Sequence, residues 1–371
     1  MQEKDNKGPA EMQVFAESWS PANESVIYGV SHDEQFLPML YAAKQELERT
    51  LLVDVPFDAQ ALTKARAKGI QPLGNIVGVG IGEKETDGRP TGQLALRVYV
   101  EKKVEEKKGE AFTIASDARI PPAIKGVRTD VIEIGVIEAF DRTREAQAEA
   151  YVDRQRYPRP VPGGVSVGHP SVTAGTLGCM VYDQQSLYIL SNNHVLANSN
   201  GAQIGDPIIH PASADGGTDP QHRIATLSDF TAIKMGGPAN SVDCAIAWVT
   251  PNVVRPEILQ IGLPDQIVDE PRRGVAVMKR GRSSGLTTNG IVDDIHFTVR
   301  VSYREAGWAI FTDQVLIRGE GFSQGGDSGS LIIDRASNRP LGLLFSGNAE
   351  SGTTVANRLT EVLQAMRVSI W

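Results

Sequence analysis

Three short segments of this chain carry residue types that together can run acyl-transfer chemistry. Gly325-Gly326-Asp327-Ser328-Gly329-Ser330 sets a serine among glycines. Glycine allows the sharp backbone turn that aims consecutive N–H groups at one point, as an oxyanion requires. A serine nucleophile also needs a base. His194, in Ser191-Asn192-Asn193-His194-Val195-Leu196-Ala197, is a candidate. The base in turn needs an orienting acid, and Asp243 opens the otherwise apolar run Cys244-Ala245-Ile246-Ala247-Trp248-Val249. A buried carboxylate is costly unless it is paired or hydrogen-bonded, and a histidine ring N–H meets that need.

Each of the three must be held by a scaffold element. Leu331-Ile332-Ile333 after the serine reads as a buried strand, which puts Ser328 on a loop anchored to a core. The apolar Leu187-Tyr188-Ile189-Leu190 reads as a strand that delivers His194 into a cleft. Asp243 stands at the head of a third strand. In isolation the serine motif could be a turn, His194 a satisfied strand-end histidine and Asp243 a turn cap. Their order and context together favour the chemical reading. Ser330 in place of a last glycine departs from the G-x-S-x-G elbow, which disfavours an α/β-hydrolase.

With these pieces, residues of about 160–371 resemble the trypsin-like serine peptidases of the chymotrypsin fold. The matching runs are the strand ending near His194, Asp243-Cys244-Ala245-Ile246, and Gly326-Asp327-Ser328-Gly329. Ser-Asn-Asn-His-Val-Leu-Ala makes the intracellular, narrow-leaf-like branch the most similar. The resemblance implies a mostly β, chymotrypsin-like double β-barrel with a C-terminal helix, and a serine endopeptidase acting on protein or peptide substrates. His194 would take the Ser328 proton, Asp243 would fix the imidazole, and the N–H groups of Gly326 and Ser328 would hold the oxyanion. By family position, Phe322, Ser323 and the strand Phe345-Ser346-Gly347 would form the substrate-binding pocket, the strand pairing with substrate backbone. Phe322 stands where trypsin carries an acid, so cleavage after Lys or Arg is not expected. An apolar or small side chain is the expectation, with Phe322 as plain core the alternative. Asp327 resembles the acid that receives a freed N-terminus in activated trypsins, and no cleavage-generated terminus is evident here.

Composition sets the frame. At 371 residues, 41% hydrophobic and 22% charged, the chain suits a globular protein of two or three domains. Net charge is −8, and the lysines at 102–103 and 107–108 alternate with glutamates, so no nucleic-acid surface is expected. The first residues lack the apolar core of a secretory signal, and no stretch is long enough to span a bilayer. Only Cys179 and Cys244 are present. Two reduced, buried thiols in a cytoplasmic protein are the simplest reading, with a single bridge as the alternative. The histidines show no metal-ligand spacing, and no metal or cofactor is expected. Self-association into a homo-oligomer is left open.

Upstream, residues 1–30 read as an irregular segment, 31–140 as a small α+β accessory domain, 141–165 as a linker and 166–371 as the peptidase domain. Phe36, Leu40, Ala43, Leu47 and Leu51 recur at helical spacing, and Pro38 is tolerable only in the first turn. A second, weaker helix is expected over 57–67. Ile76 to Gly82, the run with Leu94, Leu96, Val98 and Val100, and Thr129 to Gly135 read as strands. The G-x-G-x-G pattern of the first lacks the dinucleotide fingerprint, so its glycines are taken as structural. Tyr157-Pro158-Arg159-Pro160-Val161-Pro162-Gly163-Gly164 has linker chemistry. Strands are expected at 275–278 and 292–295 around a turn at Gly285–Gly290, and a helix from Asn357 to about Val368. The rival function is a protease-fold scaffold that binds partners with little turnover.

Overall fold

A computed structural model describes residues 36–53, 75–86, 89–103, 120, 122–139 and 156–371. The helix expected over 57–67 and the turn at 87–88 lie outside the described residues. The chain divides into two compact units, 1–99 with 103–133, and 100–102 with 134–371.

The first unit packs a helix on a sheet. Its helix Phe36–Glu48 continues as a wider π turn over Arg49–Val53. Leu40, Ala43, Leu47 and Leu51 are buried, as their spacing predicts. Pro38 falls in the first turn, where no backbone donor is lost. The strands run in the order Ile76–Thr86, Arg89–Val100, Val127–Glu133, Ala123–Ile124. Gly82 has a packing reason: a side chain there would collide with the buried Arg97 guanidinium. Arg97 donates through Nε to the Glu83 carbonyl at 3.0 Å and pairs with Glu85 at 3.2 Å.

The second unit is mostly β, with two strand assemblies, as the double-barrel expectation required. One sheet runs Pro207–Ile209, Arg223–Phe230, Ala245–Val249, Leu187–Ser191, Cys179–Tyr182, Ser369–Ile370. Its core includes Val167, Leu177, Ile189, Leu196, Leu227 and Ala247. The other assembly closes on itself. Ala276–Gly281 pairs with Leu331–Asp334, then follow Pro340–Asn348, Thr353–Arg358, Trp308–Arg318 and Gly285–Ser302, which pairs back with Ala276–Gly281. Each of the six strands is paired on both sides, but Leu331–Asp334 covers Pro340–Asn348 only as far as Leu343, which leaves the edge beyond it to other partners. The helix Leu359–Met366 buries Leu359, Val362, Leu363 and Met366 on that ring, shorter at each end than its spacing suggests. The chain end then crosses to pair Ser369–Ile370 with Tyr182 and Val181.

Two sequence expectations change. The turn lies at 282–284, not over Gly285–Gly290: Gly281 pairs with Gly285, and Gly290 with Val277, inside the ladder. Gly290 is glycine because a Cβ there would stand 2.7 Å from the Phe322 ring. Within the stretch with linker chemistry, Val161–Gly163 is a buried strand parallel to Val254–Ile258.

Candidate active site

Strand register brings His194 and Asp243 together. Ser191 pairs with Ala245 at the end of two antiparallel strands. Running three residues beyond one and two before the other puts both side chains at the same end. His194 sits in the one-turn helix Asn193–Leu196. The Asn-Asn run before it is a set of pins. Asn192 Nδ2 donates to the Asp243 carbonyl at 2.7 Å, and Asn193 Nδ2 donates to Asn200 Oδ1 and the Thr231 carbonyl at 2.8 and 2.7 Å. Ser191 Oγ donates to the Thr176 carbonyl at 2.7 Å.

The His194 Nδ1 to Asp243 Oδ2 distance is 2.6 Å, with both side chains buried. A carboxylate only accepts, so Nδ1 carries a proton toward Asp243, and Nε2 is the ring nitrogen left to act as a base. Nε2 is buried and has no hydrogen-bond partner among the described residues. Asp243 also accepts the His194 backbone N–H at 3.3 Å and the Tyr303 hydroxyl at 2.7 Å, the latter on the same Oδ2. Burial first, then the Asp243 charge and this hydrogen bond, hold the Tyr303 phenol well above its ordinary pKa. Behind the carboxylate, Asn357 Oδ1 accepts the Asp243 N–H at 3.0 Å, Asn357 Nδ2 donates to Gln314 Oε1 at 2.6 Å, and Gln314 Nε2 donates to the Ser241 carbonyl at 2.9 Å.

Ser328 sits on the turn before Leu331–Asp334. That turn is sewn to both assemblies: Thr176 N–H donates to the Ser328 carbonyl at 2.7 Å, and Gly329 N–H to the Leu344 carbonyl at 2.8 Å. Gly329 has φ +94°, and a side chain there would collide with Ser191 Oγ and the Thr176 carbonyl. Gly326 has φ +95°, and its carbonyl accepts from Thr176 Oγ1 at 2.9 Å. That turns the carbonyl away and leaves the N–H groups of Gly326 and Ser328 donating to nothing among the described residues. Ser328 Oγ donates to the Phe345 carbonyl at 3.3 Å and makes no hydrogen bond to His194.

Asp327 anchors the turn from below. It is fully buried and pairs with Lys279 Nζ at 3.1 Å. It accepts the N–H groups of Ser283, Ser284 and Gln324 at 2.8, 3.1 and 3.0 Å, and the Ser284 hydroxyl at 2.5 Å. Burial pulls the Lys279 ammonium below its ordinary pKa, and the Asp327 charge opposes it. Beside it the buried pair Arg282–Asp215 joins the two assemblies, Nε to Oδ2 at 2.8 Å and Nη2 to Oδ1. The Arg282 guanidinium borders Gly326.

Of the expected pocket residues, Phe322 is fully buried against Gly290 and Gly319, with Lys279 Nζ 5.7 Å from its ring centroid. That packing fits the alternative of a core residue. Ser323 Oγ meets Thr354 Oγ1 at 2.5 Å. Phe345 stacks on Phe311 with centroids 4.8 Å apart. Ser346 Oγ is buried without a partner among the described residues, and Ser346 and Gly347 pair antiparallel with Ala139 and Glu138. Cys179 and Cys244 are free, and burial pushes both thiols up to about 12.

The sequence does not mark Tyr303 or Lys279 as site residues at first sight. A signal existed for the second. Lys279, Arg280 and Arg282 follow the apolar run 275–278 and all are buried, which obliges partners such as Asp327 and Asp215. Among the described residues no cluster of His, Cys, Asp or Glu could hold a metal ion, and no helix is long and apolar enough to cross a membrane.

A family model described as the Nal1 C-terminal domain matches residues 256–363, a span that holds Ser328 but neither His194 nor Asp243. A comparison with curated proteins finds no match. Among solved structures, the chain is similar to a glutamic acid specific serine protease described as using a novel histidine triad in substrate binding. Identity is 19%, coverage 57% of this chain and 100% of that one, and TM-score 0.42. Thermobifida fusca protease A is similar at 15% identity, 57% and 97% coverage and TM-score 0.41. So is a Nocardiopsis protease, at 15% identity, 57% and 98% coverage and TM-score 0.41.

Proposed function

We propose that the chain is a serine endopeptidase of the trypsin-like kind, related to the narrow-leaf-like branch, in which Ser328 attacks a peptide carbonyl. The observation that carries this reading is the His194–Asp243 pair. It leaves Nε2 buried and without a partner among the described residues, and the glycine turn that carries Ser328 has uncommitted Gly326 and Ser328 N–H groups. Attack requires Ser328 Oγ to leave the Phe345 carbonyl and hydrogen-bond to Nε2. His194 then takes the Oγ proton as the acyl bond forms, Asp243 stabilises the imidazolium, and the two N–H groups receive the oxyanion. His194 returns the proton to the leaving amine, and water hydrolyses the acyl-enzyme by the same steps in reverse order.

Lys279 supports a turn that needs no freed N-terminus. It gives Asp327 a resident buried cation, which is the charge that the terminus supplies in activated trypsins. The Nal1 C-terminal match agrees with the branch suggested by the Ser191–Ala197 run.

The weak-turnover scaffold is favoured by one observation, the Ser328 Oγ bond to the Phe345 carbonyl in place of His194. Hydrolysis of a mixed peptide library separates the two. The endopeptidase reading expects cleavage by the wild type and loss with both Ser328→Ala and His194→Ala. Cleavage that survives Ser328→Ala would sink it. Basic residues dominating the cleaved position would sink the apolar or small preference.

A further inference from the structure

The segment 134–139 is strapped along the open end of the closed strand ring. Ser351 Oγ donates to the Ile134 carbonyl at 2.7 Å, Asn348 Nδ2 to the Val136 carbonyl at 3.0 Å, and Ser302 N–H to the Ile137 carbonyl at 2.9 Å. Gly135 has φ +71° and comes so close that a Cβ would stand 2.5 Å from Asn348 Nδ2. Ile137 is fully buried and Ala139 is 4% exposed. The strap ends as a strand: Glu138 lies opposite Gly347 and Ala139 opposite Ser346, antiparallel.

Its direction matters more than its presence. From Glu138 to Ala139 the strap steps from Gly347 to Ser346, toward Phe345, whose carbonyl accepts the Ser328 hydroxyl at 3.3 Å. It therefore runs amino to carboxyl toward the candidate nucleophile. An acyl chain offering its carbonyl to Ser328 along this edge would have the same polarity. Adding a strand to an exposed edge is a general mode of peptide capture, with the backbone ladder supplying affinity.

We propose that Glu138–Ala139 is an internal, substrate-like strand on the acyl side of the peptide-binding edge Ser346–Gly347, and that a peptide must displace it to reach Ser328. This rests on the endopeptidase reading for the role of Ser328, while the pairing itself stands apart from it. The strap follows directly on the first compact unit, which ends at Glu133 in sequence.

The test uses the full chain as wild type, Glu138→Pro and Asn348→Ala. Proline has no N–H to give the ladder, and the alanine removes the Val136 anchor. Three quantities are read: amide hydrogen exchange over 345–348, the rate of Ser328 modification by a tripeptidyl phosphonate, which needs the edge, and the rate with diisopropyl fluorophosphate, which does not. Both variants should exchange faster at Gly347 and react about tenfold faster with the tripeptidyl reagent, the scale of one net hydrogen bond. The small reagent should modify all three alike, and the peptide Ile-Gly-Val-Ile-Glu-Ala should slow the variants again. Equal exchange in all three proteins overturns the proposal. So does faster exchange with an unchanged tripeptidyl rate while the small reagent still reacts, a result that leaves the hydrolase reading intact. If neither reagent modifies any of the three while exchange still rises, the strap pairing stands and the hydrolase reading fails.

Discussion

Replacing Tyr303 by phenylalanine isolates one hydroxyl at the centre of the site. The ring keeps its packing against Phe311, centroids 6.2 Å apart, and its edge against His194 at 6.0 Å. What disappears is a 2.7 Å donor to Asp243 Oδ2, the oxygen that also accepts from His194 Nδ1 at 2.6 Å. A hydrogen bond to a charged group is worth about 1.5–3 kcal/mol. If about half of that interaction serves to hold the imidazole in place, its loss is worth ~0.75–1.5 kcal/mol, or roughly three- to tenfold in rate. The plateau kcat for a peptide ester should fall by that factor through looser orientation of the ring, with KM nearly unchanged. A fall in melting temperature alone, with kcat unchanged, would refute the reasoning and reduce Tyr303 to packing.

Lys279→Met leaves Asp327 buried without its cation, which should cost about 3–5 kcal/mol in urea unfolding and abolish phosphonate labelling of Ser328. Full stability in that variant would mean that Asp327 is held by its N–H donors alone. Gly329→Ala meets both a left-handed backbone and two fixed oxygens, so it should lose more than about 3 kcal/mol, read by the same unfolding curve. Tyr303 titrates at about 10 when unfolded and well above that when folded. The folded state therefore holds the extra proton. Its stabilisation is complete below about pH 10 and is lost above it, by about 1.4 kcal/mol per pH unit, and Tyr303→Phe should remove that part of the slope. With both thiols pushed up to about 12, native protein at pH 8 should resist iodoacetamide and react only on unfolding.

The sequence made the three candidate side chains legible because each stands next to an apolar strand, and a strand fixes where its neighbours point. It also announced Asp243 through the cost of burying a carboxylate. Tyr303 was invisible on those terms: it reaches Asp243 across 60 residues of chain, and nothing local marks it. The glycines of 285–290 suggested a turn, yet they sit inside a ladder, where Gly290 makes room for the Phe322 ring. Prolines and glycines at 157–164 suggested a linker, although Val161 is fully buried. The strap was likewise beyond reach, because Thr129 to Gly135 reads as one strand, and no local pattern tells which distant edge Glu138 joins.

Exposure of the full chain to diisopropyl fluorophosphate, followed by intact mass and peptide mapping, tests the proposed nucleophile most directly. The expected result is one adduct per chain, on Ser328, absent in Ser328→Ala and slowed by about 10³-fold or more in His194→Ala. No adduct on folded wild type, or one that forms equally fast without His194, would contradict it.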